Sequence, residues 1–461
     1  MRAIIKGGLC VLPAGLQRLD IGIENGRIAA LADGLDTAGC ETLDAAGLWI
    51  FPGGVDVHCH LPWPSKQVLS GDDVLSGTRA AICGGVTTVV DFVIPEPGES
   101  LGAALERKLD EARQKGLYAD YSAHICIREA TPANLAEIPA LVARGFSSFK
   151  VFMAYEGFRL DDADLLRVME SVAAAGGIVS VHAENGLLAD RATRALVEQG
   201  RVSLEHYPAS RPAYCEHEAV YRAIRYAQAA GATLHVHHVS TSEGARLIGA
   251  ARRRGQLVSG ETCPHYLTLT DDAYRAGGLE ATLPVIAPPL RAAEDCRALW
   301  AALAADDLSA VATDHCPYSR QQKRAGLDDF TKVPGGTAGV ETRWPVLFTE
   351  GVRAGRLSAG RLATVWAINP ARIFGLYPRK AGLSVGADAD LILVEPERSS
   401  VLSAEKLHMH TDHTLFEGRP VFGFPIRRVL LRGRTVVLDG EPAGEPHGQI
   451  APRGRPLPTL S

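Results

Sequence analysis

Five short apolar runs in this chain each end in a residue able to bind a divalent metal or to work beside one. They are Val57-His58-Cys59-His60, Ser148-Phe149-Lys150-Val151, Ser180-Val181-His182-Ala183, Val236-His237-His238-Val239 and Ala312-Thr313-Asp314-His315. A half-buried strand alternates its side chains between two faces, so a polar residue at its end costs desolvation unless it finds a partner. Five such ends, spread over more than half the chain, point to one shared partner: a metal centre.

The same runs set the architecture. Strand-like segments at 48–60, 86–92, 118–126, 147–153, 178–184, 233–239, 257–264 and 308–315 are separated by amphipathic helical stretches. In one of these, Asp161 or Asp162 can cap the start, Leu165, Leu166, Met169 and Val172 recur at helical spacing, and Gly176-Gly177 ends it. Helices are also expected at 216–230 and 243–254. Eight strands alternating with helices predict an α/β fold, a (β/α)₈ TIM-like barrel over residues 51–379. In that fold the C-terminal strand ends carry the active site, and that is where the metal-competent residues fall.

Both termini read as short β pieces, with a hairpin expected at Asn25-Gly26. Residues 1–50 and 380–440 are therefore expected to build one small β-sandwich domain. The Pro-, Gly- and Arg-rich tail, 441–461, is expected to be mobile or to need a partner.

At 461 residues and a net charge of −5, the chain lacks the basic footprint of a nucleic-acid binder. The Arg252-Arg253-Arg254 run is read as a solvated helix end. Nine cysteines, an odd number without a spacing framework, argue for the reducing cytoplasm rather than a disulfide scaffold. Charge and glycine break the first residues too early for a signal peptide, and no apolar stretch reaches the ~20 residues of a membrane span.

On a strand, residues two apart share a face, so His58 and His60 project together with Asp56 behind them. Two imidazoles side by side suit zinc; the alternative is one hydrogen-bonded core histidine and one exposed. Lys150 lies in an apolar run where an ammonium is costly. It either pairs with a carboxylate or, as a neutral amine, adds CO₂ to become a carbamate that bridges two cations. Alternation puts His235 and His237 on one face and His238 on the other, so only part of this cluster can reach one metal. Asp314 is a candidate general base for water at a metal, or else a helix cap.

These segments carry a resemblance. Phe51-Pro52-Gly53-Gly54-Val55-Asp56-Val57-His58-Cys59-His60, Ser76-Gly77-Thr78-Arg79, Gly85-Val86-Thr87-Thr88, Phe149-Lys150-Val151-Phe152-Met153-Ala154-Tyr155 and Val181-His182-Ala183-Glu184-Asn185-Gly186 resemble the amidohydrolase superfamily, in its hydantoinase, dihydropyrimidinase and allantoinase branch. So do Glu261-Thr262-Cys263-Pro264-His265-Tyr266, Thr313-Asp314-His315-Cys316-Pro317-Tyr318 and Val385-Gly386-Ala387-Asp388-Ala389-Asp390.

The resemblance implies hydrolysis of a small cyclic amide by two divalent metal ions, zinc by preference, in a homotetramer or homodimer. By position His58, His60, carboxylated Lys150 and Asp314 would hold one metal, and Lys150, His182 and His238 the other. His238 is chosen by its Val239-Ser240 context. Asp314 would shuttle the proton and Tyr155 would hydrogen-bond the oxyanion.

Departures bear on the substrate. Ala287 stands where hydantoinases and dihydropyrimidinases carry Ser, and Gly335 where they carry Asn; both resemble allantoinases. Backbone contacts at these two places would preserve ring recognition. Met153-Ala154-Tyr155 and Val93-Ile94-Pro95 follow the hydantoinase form, and Pro62 replaces the arginine of dihydroorotases. Trp63, Phe152 and Phe158 either line an apolar pocket for a ring substituent or pack loops. A non-catalytic scaffold related to dihydropyrimidinase would be expected to lose ligands, and this chain keeps every one.

Overall fold

The computed structural model describes residues 2–457. Its centre is an eight-stranded, all-parallel sheet made, in order, of Gly54–Cys59 (β1), Val86–Val93 (β2), Asp120–Cys126 (β3), Ser148–Phe152 (β4), Ile178–His182 (β5), Thr233–Val236 (β6), Val258–Thr262 (β7) and Ala310–Val311 (β8). Each strand pairs with its sequence neighbour, and helices such as Val74–Cys83, Leu101–Lys115 and Asp162–Ala174 return the chain between them. Backbone bonds join the two outer strands: His60 N donates to His315 O (2.8 Å) and His315 N to His58 O (3.3 Å). The ring thereby closes into the expected barrel.

Local sequence explains the elements. Asp161 caps Asp162–Ala174 by accepting from Asp164 N, and Leu165, Val168, Met169 and Val172 form its buried stripe. Val168 takes the place foreseen for Leu166, which lies only half-buried. In β4 the interior receives Ser148, Lys150 and Phe152, while Phe149 and Val151 face outward to the helix layer.

The segment read as one strand over 48–60 is two. Trp49–Pro52 pairs with Leu391–Val394, whereas Gly54–Cys59 opens the barrel. The crossing depends on glycine, since a Cβ at Gly54 would lie 2.2 Å from the Trp366 ring. The eighth strand is also shorter than foreseen, because the chain turns at Asp314 (φ 50°).

The termini form two sheets. One is four-stranded (residues 3–6, 20–24, 27–32 and 41–44), and the other is seven-stranded, running from 441–442 to 15–18 through 391–394 and 49–52. Ile5, Ile21, Ile23 and Ile28 from the first pack on Cys10, Ile50, Leu391 and Leu430 from the second, making the sandwich core. The hairpin turns at Asn25-Gly26, both with positive φ, as a two-residue turn of this type requires.

The tail departs from expectation. Residues 447–457 dock on the barrel: Tyr121 N donates to Gln449 O (2.9 Å), Ala451 N to Tyr121 O (2.7 Å) and Gly454 N to Gly375 O (2.7 Å). Arg453 is buried and donates to Ser148 Oγ (2.7 Å) and Ala123 O (2.5 Å). Unpaired barrel backbone captures the segment despite its composition. Residues 458–461 of the expected tail lie outside the described residues.

Arg252 is likewise not solvated, because it packs inward and pairs with Asp306 (2.8 Å). Among the described residues no disulfide joins the cysteines, and no helix is long and apolar enough to cross a membrane.

Candidate metal centre and active site

Parallel register sets the floor of the site. Lys150 lies between Cys126 of β3 and Ser180 of β5, and Phe152 lies beside His182. At the C-terminal rim of the barrel His58, His60, Lys150, His182, His238 and Asp314 line one cavity of about 480 Å³.

His58 Nε2 and His60 Nε2 converge on the same oxygen, Asp314 Oδ1, at 3.0 and 2.9 Å. Asp314 is aimed there by its left-handed backbone rather than serving as a helix cap. Burial alone would push its carboxyl up, but the two imidazoles outweigh this and hold it well below the usual range. Asp56 locks β1 to the segment that follows the eighth strand by accepting from Thr313 Oγ1 (2.6 Å) and Thr313 N (3.2 Å).

On the far side His182 Nδ1 and His238 Nε2 face each other at 2.8 Å. The cluster 235–238 resolves through the backbone. Strand β6 ends at Val236, and His238 takes φ 38°, which turns its ring into the cavity. His235 and His237 stay below it, both bonded to Glu261, as strand alternation foresaw.

Lys150 is buried, with its Nζ 5.1 Å from the Phe92 ring centre and 5.0 Å from that of Phe152. Burial lowers its pKa to about 8, and burial, helped by the Lys150 charge, lowers those of His60, His182 and His238. Among the described residues no carboxylate lies within ion-pair distance of this amine, so the paired-carboxylate alternative lacks its partner.

Two buried carboxylates set the imidazole tautomers. Glu261 Oε1 takes the Nδ1–H groups of His58 (2.5 Å) and His237 (2.8 Å). Glu184 Oε2 takes the Nε2–H of His182 (2.8 Å) and is itself held by Arg211 (2.6 Å). When these rings are neutral, that leaves His58 Nε2 and His182 Nδ1 as the lone-pair nitrogens on the cavity side. Burial lowers His60 to about 4, His182 below and His238 well below their ordinary values, so these three rings are neutral, whereas at His58 Asp314 and Glu261 outweigh burial and raise it. The ring nitrogens of His58 and His60 converging on one ionised carboxylate, all within metal-ligand reach of one another, fit divalent metal binding.

Sequence reasoning missed these supporting groups. Glu184 and Glu261 enter the sequence reading only within motifs, without a role of their own. The signal at Glu261 was an acidic residue inside a buried strand, which demands a cationic or hydrogen-bonding partner.

The recognition candidates also gather here. Tyr155 (φ 70°) lies over the cavity, its ring 4.9 Å from His182, with the Arg211 guanidinium 5.0 Å from its centre. Trp63, Phe152 and Phe158 pack together with ring centres 5.3 to 6.3 Å apart, and they line the cavity as one wall. Pocket and packing are here the same contact. Ala287 and Gly335 line the same cavity.

Comparison with known proteins agrees with this geometry. Residues 49–435 match the amidohydrolase family. The chain is 40% identical to a D-hydantoinase of Streptomyces coelicolor over 461 residues, covering 98% of each chain. It is 39% identical to a D-hydantoinase of Geobacillus stearothermophilus, covering 99% of this chain and 97% of that one. The crystal structure of dihydropyrimidinase from Brevibacillus agri superposes with a TM-score of 0.96 at 36% identity, over 99% of each chain. The barrel, the rim of metal-competent side chains and the full-length similarity agree: this chain is a member of the amidohydrolase family.

Proposed function

We propose that this protein hydrolyses a cyclic amide of the hydantoin or dihydropyrimidine type, opening the ring to an N-carbamoyl amino acid. The observation that carries the reading is the convergence of His58, His60 and Asp314 opposite His182 and His238, with buried Lys150 between them. The names of the full-length relatives supply the substrate class.

The uncompensated Lys150 amine adds to CO₂ as its proton leaves, giving a carbamate with two ligating oxygens. Two cations, zinc by the nitrogen-rich donor set, would be held by His58, His60, Asp314 and this carbamate, and by His182, His238 and the carbamate. Such a pair supplies Lewis acidity, which polarises the ring carbonyl and acidifies water.

The chain's own groups do the rest. Asp314, ionised because its pKa is depressed, accepts the proton of the attacking water as oxygen bonds to the carbonyl carbon. It then delivers that proton to the ring nitrogen as the C–N bond breaks. Burial raises the Tyr155 phenol above its ordinary value, so it remains protonated and donates to the oxyanion. Trp63, Phe152 and Phe158 exclude water and receive a ring substituent.

The test offers the metal-loaded protein hydantoin, both enantiomers of 5-substituted hydantoins, dihydrouracil, allantoin and dihydroorotate in parallel, scoring acid release. Ring opening of hydantoin or dihydrouracil is expected. Turnover of allantoin alone would move the reading to allantoinase, which Ala287 and Gly335 favour. No turnover at all would favour a scaffold. The proposed homotetramer or homodimer is checked by sedimentation equilibrium.

A further inference from the structure

Lys323 is fully buried, yet no carboxylate among the described residues lies within ion-pair distance of it. Its Nζ has a single hydrogen-bond acceptor, the carbonyl oxygen of Val285, at 3.0 Å. Burying an ammonium is costly, and an apolar side chain of similar length would fill the same space without that cost. Burial lowers its pKa to about 7, and the amine carries an N–H to donate in either protonation state.

What the amine holds explains its presence. Val285 O also accepts from Gly336 N (3.0 Å), so one carbonyl joins two segments distant in sequence. Val285, Ala287, Gly335 and Gly336 all line the cavity. None of these four side chains offers a polar atom, so only their peptide groups can hydrogen-bond a ligand there.

The neighbouring carbonyls are occupied. Pro284 O accepts from Tyr274 (3.0 Å), Ile286 O from Tyr207 (2.7 Å) and Pro288 O from Tyr266 (2.6 Å). Among the described residues, the Ala287 carbonyl alone in 284–288 has no intramolecular donor, so it is the one available to a ring N–H. The Gly336 edge is equally constrained: a Cβ there would lie 2.6 Å from Cys316 O.

We propose that Lys323 is a positioning residue that clamps the Val285–Ala287 peptides to the Gly335–Gly336 peptides, so that these backbone groups present a fixed edge to the ring amide. The inference rests on the cyclic-amide reading. It makes recognition on this wall depend on a buried amine more than 30 residues from Val285, and not on any side chain that touches the substrate.

The experiment compares wild type and K323M with unsubstituted hydantoin, which makes no use of the aromatic wall. It also measures zinc content and hydrogen exchange at the Gly336 amide. Losing the bond that anchors the recognition edge should raise KM about tenfold or more. The kcat should stay within about threefold, zinc content should not change, and Gly336 should exchange faster.

An unchanged KM, or a fall in kcat together with zinc loss, overturns the clamp. If K323M does not fold, K323Q, too short to reach Val285 O, is measured against the same expected split. No turnover of any ring by wild type overturns the functional reading and this inference with it. Wild-type turnover with an unaltered KM in the variant overturns the inference alone.

Discussion

Glu261 is the group on which the imidazoles of this centre depend, and Glu261→Gln isolates its charge. Oε1 accepts from His58 and His237, and Oε2 from His235 at 3.0 Å. Burial alone would raise this carboxyl, but His58 and His235 more than offset it and bring it to about 2. In the variant the amide oxygen can occupy the Oε1 position and keep the first two bonds. The amide nitrogen then faces His235 Nε2, which can accept if His235 carries its proton on Nδ1 and donates to Ser259 Oγ, 2.8 Å away. The geometry survives and the negative charge does not.

A charge-assisted bond exceeds a neutral one by ~1 kcal/mol, and of the two rings on Oε1 only His58 would hold metal. That gives a floor of about fivefold in an equilibrium constant, and loss of a group that orients a metal ligand costs up to roughly 10- to 100-fold. Zinc affinity should fall by a factor in this range in competition with a chromophoric chelator, while the metal-free proteins melt within a few degrees of each other. A change below about threefold would show that the carboxylate does not raise the basicity of His58, and the tautomer argument would fail with it.

Lys150→Met keeps the bulk of the side chain but removes the amine. Bound zinc and activity should both collapse, and bicarbonate should restore neither; retention of two metals by this variant would refute the carbamate. Tyr155→Phe should lower kcat by about 10² to 10³ with zinc content unchanged, the usual effect of deleting one oxyanion donor; a loss confined to KM would place the phenol in binding instead.

Burial pushes the Asp388 carboxyl up, but Lys380 (2.9 Å) and Arg379 (3.1 Å) prevail and hold it below the usual range. A depressed carboxyl stabilises the fold above its unfolded pKa of ~3.9, and that stability is lost as pH falls through the lower folded value. Asp388→Asn should therefore lower the melting temperature at pH 7, with the gap closing at a pH below the depressed folded value. A gap of equal size at both pH values would mean the charge is immaterial.

Much of this was determined by the order of residues alone. Alternation of period two sends Ser148, Lys150 and Phe152 to one face and Phe149 and Val151 to the other, and strand–helix alternation fixes the barrel. Asn25-Gly26 turns a hairpin because its residues tolerate positive φ. These are local properties, set by neighbours within a few positions.

Tertiary structure decided what depends on partners remote in sequence. The choice among His235, His237 and His238 rests on where β6 ends and on φ at His238. Glu261 meets His58 203 residues away, and so becomes a charged hub rather than a strand defect. The tail docks because β3 and the loops beneath the barrel leave backbone groups unpaired. Lys323 finds no carboxylate although acidic residues are plentiful. Burial and pairing are properties of three-dimensional neighbourhoods, and a linear pattern specifies which face a side chain takes without specifying what waits there.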